Sequence, residues 1–207
     1  MFDADVQSKR TQRRLLRARR ALLPGPQRRR ASRALACRAG RLRWFHRARR
    51  IACYLAQDGE IDCGPLIALI RRRRRICYLP VLVTWPRGAL RFAAFPVHCV
   101  LRPNRLGVPE PRVPRSRLLV PARLDLIFSP LVGFDADGRR LGMGGGFYDR
   151  ALGVAARRSR YVRPVAVGLA YEIQRLERIV DDPWDVPLAA VVTEQSVYDP
   201  SRPAVPA

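Results

Sequence analysis

Apolar residues recur at helical spacing through the first part of the chain and then condense into short runs. Over residues 6–22, Leu15, Ala18 and Leu22 fall on one inward stripe, and Pro24-Gly25-Pro26 closes that helix. A second helix is predicted over 27–46, with Ala31, Leu35, Leu42 and Phe45 inward, a row of arginines outward and His46 at its end. Residues 50–56 and 76–83 are apolar runs of strand length, separated by a polar loop and a helix that starts at Gly64 and runs into the arginines at 71–75. That β-α-β order calls for parallel pairing. Trp85-Pro86-Arg87-Gly88 reads as a turn into a strand over 89–95, His98 follows without a metal-spaced partner, and the Pro- and Gly-rich residues 104–115 read as an ordered connection. Residues 124–130 are too continuously apolar for a half-exposed strand and predict one covered on both faces. A turn at 135–138, a helix over 147–158, a buried strand over 163–170, a short helix over 171–177, a rigid turn at 182–187 and a final strand over 188–193 complete the pattern. The expected fold is a three-layer α/β/α domain with a mostly parallel, Rossmann-like sheet over 1–198, followed by a frayed, proline-rich tail at 199–207.

Composition adds two facts to this pattern. The chain has 207 residues, enough for one domain with a real core, and a net charge of +23. Residues 1–75 hold 22 of the 40 basic residues against 5 acidic ones, so +17 of the excess sits in the first third. So basic a chain raises nucleic acid as a partner, yet aromatics do not interleave with the basic runs as a stacking platform requires. Lys9 is the sole lysine beside 39 arginines. The arginine excess looks like coding bias, and the surviving lysine either marks a site that needs a compact ammonium or survives by chance. Five cysteines, Cys37, Cys53, Cys63, Cys77 and Cys99, show no C-x-x-C spacing and read as core thiols of a reducing compartment rather than a zinc or disulfide framework. With no apolar run near membrane length and acidic residues at Asp3 and Asp5, a cytoplasmic protein is expected.

The candidate chemistry centres on residues 124–152, where a buried strand, a turn, a glycine cluster and a helix follow without a break. Gly142, Gly144, Gly145 and Gly146 allow backbone N–H groups to approach a ligand, and a helix start behind them favours an anion. The Lys-Ser/Thr pair of a P-loop is missing, since Phe147, Tyr148 and Asp149 follow Gly146, and the dinucleotide fingerprint fits no better. Arg140 before the glycines and Asp149 after them suggest a phosphate cradle with magnesium; the plainer alternative is a glycine turn packed against a strand. Lys9 and Arg13, one helical turn apart, can converge on one phosphate chain or stand as two solvated charges. Glu60 lies in the loop after the first strand, where open α/β sheets bind ligands, with Tyr54 and Leu55 beside it.

LGMGGGFYDR, preceded by DLIFSP and GFDADG, closely resembles the signature of the 5-formyltetrahydrofolate cyclo-ligase family, also called methenyltetrahydrofolate synthetases. SKRTQR, DGEID, GVPEP, GLAYEIQ and DDPWDVPLAAVVTE resemble the family in the same order, so the likeness spans nearly the whole chain. It implies a CoA-transferase-like α/β fold and the closure of 5-formyltetrahydrofolate to 5,10-methenyltetrahydrofolate with ATP and Mg2+, releasing ADP and phosphate after phosphoryl activation of the formyl oxygen. By the same resemblance Lys9, Arg10, Arg13, Arg140, Leu141, Gly142, Gly144, Gly146, Phe147 and Tyr148 would bind ATP. Tyr54, Leu55, Glu60, Met143, Gly144, Gly145, Gly146 and Phe147 would contact the folate, with Arg140, Met143 and Gly145 facing the formyl group and γ-phosphate. Asp149 and Asp185 would stand near magnesium, although turn chemistry alone also accounts for Asp185. Some relatives carry a basic residue in the loop where this chain has Met143 and Gly145. A monomer acting on a possibly polyglutamylated folate is implied, with nucleic acid not required. The rivals are a nucleic-acid-binding role and a fold relative acting on another carboxylate or acyl substrate.

Overall fold

The computed structural model describes residues 2–84, 89–158, 164–180 and 186–201. The turn at Trp85-Pro86-Arg87-Gly88, the start of the strand at Arg163, most of the rigid turn at 182–187 and the end of the tail lie outside them.

Seven strands form one sheet. They are β1 (Arg50–Ala52), β2 (Ile76–Val83), β3 (Ala89–Ala94), β6 (Leu126–Pro130), β9 (Val165–Leu169), β10 (Ala190–Val192) and β11 (Val197–Tyr198), in the order β11-β10-β9-β6-β1-β2-β3. Pairing is parallel from β10 through β2, and antiparallel at the edges β3 and β11. Two small hairpins stand outside it, β4 (Leu101–Pro103) with β5 (Pro109–Pro111) and β7 (Gly133–Phe134) with β8 (Arg140–Leu141).

Side chains alternate across the sheet at period two. Ile51, Leu126, Phe128, Val167, Ala190 and Val192 face one side. There they meet Ala31 and Leu35 of α2 (Gly25–Ala39), Phe45 of α3 (Arg43–Arg47) and Leu66 and Ile70 of α4 (Gly64–Arg72). Ala52, Ile127, Ala166 and Val191 face the other side, covered by Ala151 and Leu152 of α5 (Phe147–Arg158). The expected three layers follow, and each fully buried aliphatic side chain contributes about 1.5–3 kcal/mol. No helix among the described residues is long and apolar enough to cross a membrane.

Several elements differ from the sequence pattern. The helix expected over 27–46 is two helices, broken at residues 40–42, and Leu42 and Phe45 are nevertheless buried as expected. The first strand pairs only over Arg50–Ala52, the short helix at 171–177 is one turn at Glu172–Gln174, and the strand at 188–193 is followed by β11 rather than being the last. Cys53, Cys63 and Cys77 are buried, whereas Cys37 is exposed on the outer side of α2. The largest difference concerns α1 (Phe2–Ala21): of the expected inward stripe, Leu15 is 53% exposed, Ala18 is exposed, and Leu22, just past the helix end, is 81% exposed. Leu16 and Arg20 are buried in their place, because α1 docks on the loops above the sheet and packs Leu16 with Val132, Leu141 and Ile179.

Candidate active site

β1 sits at the point where the chain reverses its direction across the sheet, with α4 and β2 to one side and β6 to the other. The loops leaving the carboxyl ends of β1 and β6 therefore flank one crevice, where this kind of sheet binds ligands. Both candidate clusters fall there. His46 and His98 do not: both are exposed, His46 precedes β1 and His98 follows β3, so they belong to the amino end of the parallel strands.

The loop after β6 is built to present the glycines. Asp135 is buried and its carboxylate accepts N–H groups of Asp137 at 3.1 Å, Arg139 at 3.0 Å and Ile179 at 2.9 Å, which fixes the turn between β7 and β8. The buried Gln174 amide donates to the Leu131 and Val132 carbonyls at 2.7 and 2.9 Å and holds the corner after β6. β8 then delivers Arg140 and the buried Leu141, and residues 142–146 run directly into α5. Gly144 and Gly146 have φ of +90° and +61°, conformations that side-chain-bearing residues rarely adopt. A Cβ on Gly145 would sit 2.7 Å from the Phe147 ring. Arg150 donates to the Gly145 carbonyl at 2.9 Å and lies over the Phe147 ring, while Met143 is exposed.

Leu16 carries α1 onto this loop, and Arg13 follows on the same face. Arg13 Nε–H donates to the Gly142 carbonyl at 2.8 Å. Lys9 lies one turn earlier on that face and is partly buried, whereas Arg10 is exposed.

Arg140 donates to the Val186 carbonyl at 2.6 Å and forms an ion pair with Asp149 in the first turn of α5. The Arg140 side chain is 6% exposed and that of Asp149 is 26% exposed. The residues expected to serve phosphate and metal thus neutralise each other. Asp185 lies outside the described residues; its covalent neighbour Val186 is the one that Arg140 holds.

The loop after β1 closes over a second polar group. Glu60 accepts the Gln57 N–H at 3.0 Å, and its own N–H donates to the Gln57 carbonyl at 2.8 Å. Burial pushes the Glu60 carboxyl above its ordinary value, against the pull of the Gln57 N–H and Arg20 and with a further push from Asp58. Tyr54 is buried and donates to the Ile61 carbonyl at 3.2 Å, and Leu55 packs half-buried against the core. Burial raises the phenols of Tyr54 and Tyr148, and the nearby Glu60 carboxylate pushes both the same way.

Arg20 went unnoticed in the sequence. It is fully buried, donates to the Asp58 carbonyl at 2.8 Å and faces Glu60. The one available signal, its place four residues after Leu16, disappears among the neighbouring arginines.

Comparisons with known proteins agree on one family. The model of the "5-formyltetrahydrofolate cyclo-ligase family" matches residues 5–194. The chain is 40% identical over 152 residues to the 5-formyltetrahydrofolate cyclo-ligase of Escherichia coli K12, covering 73% of this chain and 81% of that one. It is also 40% identical over 141 residues to the Haemophilus influenzae protein of the same name, covering 68% and 73%. Among solved structures, Aquifex aeolicus 5,10-methenyltetrahydrofolate synthetase superposes with a TM-score of 0.78 at 28% identity, over 96% of each chain.

Proposed function

From the chain's membership of the 5-formyltetrahydrofolate cyclo-ligase family, to which it belongs, we propose how its residues divide the work of an ATP-dependent ligase. The reaction converts 5-formyltetrahydrofolate to 5,10-methenyltetrahydrofolate with ATP. A formyl amide is a poor electrophile. In the proposed course its oxygen attacks the γ-phosphorus and the bond to ADP breaks; N10 then closes on the activated carbon, loses its proton, and phosphate leaves. Such chemistry asks the protein for positioning and charge stabilisation rather than a covalent nucleophile.

Lys9, Arg10 and Arg13 of α1 hold the triphosphate from one side, and the backbone from Leu141 to Tyr148 cradles it from the other. Met143 and Gly145 bring no charge to the loop, which favours Arg140 as the cation that faces the transferred phosphate. Glu60 accepts hydrogen bonds from the donor-rich pterin edge, with Tyr54, Leu55 and Phe147 lining the ring's pocket. Magnesium fits these residues. It retains water and takes one or two carboxylates beside phosphate oxygens, and Asp149 supplies one, with Asp185 as the second in sequence. When bound, it offsets charge on the β- and γ-phosphates. Asp149 and Arg140, paired with each other here, would then serve the metal and the triphosphate respectively. Both loops come from one chain, in keeping with action as a monomer, and five free cysteines suit a cytoplasmic setting.

One observation carries this reading: α1 touches both loops, through Arg13 at Gly142 and through Arg17 and Arg20 at Asp58. The test is near-ultraviolet absorbance of the methenyl product after mixing the protein with 5-formyltetrahydrofolate, ATP and magnesium. A rise that needs all three is expected, together with its loss in Arg13→Ala and Asp149→Ala. A full rate in both variants would overturn the residue assignment.

A further inference from the structure

Arg20 is a buried cation whose charge is not consumed by an ion pair. Among the described residues no carboxylate lies within ion-pair distance of it, and its Nε and Nη1 groups have no hydrogen-bond partner. Only Nη2 is engaged, at the Asp58 carbonyl. An arginine left this way is expensive, since a buried charge without a partner costs several kcal/mol. The cost is sensible only if the charge acts on something nearby. The strongest acidic influence on it is Glu60, and among the described residues only one of the Glu60 carboxylate oxygens has a partner, the Gln57 N–H.

The turn between them is under constraint. Asp58 has φ of +48° and Gly59 +75°. Arg17 grips the Asp58 carboxylate at 3.1 Å, Arg20 grips its carbonyl, and the Arg28 guanidinium stands 3.2 Å from where a Gly59 Cβ would be. Two arginines of α1 thus hold a positive-φ turn from which Glu60 follows, and Arg28 of α2 crowds its Gly59.

We propose that Arg20 is a positioning residue for the folate: it fixes the Asp58 turn and holds Glu60 as a carboxylate, ready to accept the hydrogen bonds of the pterin ring. This rests on the assignment of Glu60 to the folate. Glu60 also faces Asp58 on its own turn, Tyr54 at the end of β1 and Tyr148 on α5. The two phenols are driven further toward their neutral forms, so Arg20 is the one charged group that joins the Gln57 N–H in opposing burial and Asp58.

The experiment is calorimetric binding of 5-formyltetrahydrofolate to the full chain from about pH 5 to 8, for wild type, Arg20→Met, Arg20→Lys and Glu60→Gln, with affinity for a non-hydrolysable ATP analogue measured in parallel. The ligand's own carboxylates titrate alike in every sample, so differences between variants report on the protein. In Arg20→Met, folate binding at neutral pH falls about tenfold and its acid limb moves to higher pH, as expected when a charged hydrogen-bonding partner is lost. Arg20→Lys keeps the limb near its wild-type position, Glu60→Gln removes it, and nucleotide affinity stays within about twofold in all three. An unmoved limb in Arg20→Met, or an equal loss of nucleotide and folate affinity, overturns the proposal while leaving Glu60 in place. Wild-type folate binding by Glu60→Gln overturns the assignment of Glu60, and the proposal with it.

Discussion

Glu60 shows what the site costs the fold. Burial raises its carboxyl above the value it has in the unfolded chain, so the folded state takes up a proton more readily than the unfolded state does. Below the unfolded value both states are protonated and no cost arises. As pH rises through the interval between the two values the unfolded chain ionises first, and above the folded value the cost is complete. Glu60→Gln should therefore melt at an increasingly higher temperature relative to wild type as pH is raised from acid to neutral. Thermal melts at several pH values test this, and a gap that does not change with pH would sink it. Activity lost where stability is gained is the trade expected of a binding residue. Glu60 stood out by its place in the loop at the carboxyl end of the first strand and by the family resemblance of DGEID, since Asp58 and Asp62 stand beside it in sequence. Arg20 did not, because in a chain with 39 arginines the identity of a residue no longer separates a buried guanidinium from a solvated one.

Elements were legible in proportion to how fully the sheet buries them. Residues 76–83 and the helix over 147–158 emerge with the bounds that the apolar pattern predicts, since packing on a sheet imposes one clear period. β4, β5, β7, β8 and β11 are two or three residues long, too short for any period, and two of them, β4 and β5, contain proline. α1 is the instructive failure. Its partners are loops, so the side it buries is narrow among the described side chains, and it includes Arg13 and Arg20 where a hydrophobic stripe would be sought. A single leucine anchors it, Leu16, which also lies 2.7 Å from a would-be Cβ on Gly133. Leu16→Ala should cost about 2–5 kcal/mol locally, the usual range for a buried leucine. The expected signature is selective: amide exchange speeds up in α1 while β6 stays protected, and KM rises for ATP and folate together because α1 serves both loops. Equal loss of protection in α1 and β6 would show that the helix is part of the sheet's cooperative unit.

Charge must be judged at the scale of the whole molecule, because +23 is not spread evenly about the site. Several of the cations at the crevice are committed, Arg13 to Gly142, Arg140 to Asp149 and Val186, Arg150 to Gly145. The densest run, residues 71–75, precedes β2 and so lies at the amino end of the parallel strands, with Arg75 tied to the His46 carbonyl at 2.9 Å. The five residues of β6 alone put about 16 Å of sheet between the two ends at ~3.3 Å per residue. The Debye length in physiological salt is about 8 Å, so that run acts only weakly on an anion in the crevice. The double variant Arg72→Glu with Arg73→Glu, both exposed, should leave KM for ATP and 5-formyltetrahydrofolate within about twofold of wild type at ~0.15 M salt. The same variant should elute from a heparin column at clearly lower salt, since non-specific binding counts every exposed cation regardless of where it lies. Raising salt to ~0.5 M should increase KM for ATP more than for the folate in both proteins, because the triphosphate carries more charge. A several-fold rise in KM for the variant at ~0.15 M would instead mean that the remote arginines steer substrate, and that the charge of the first third serves the reaction itself.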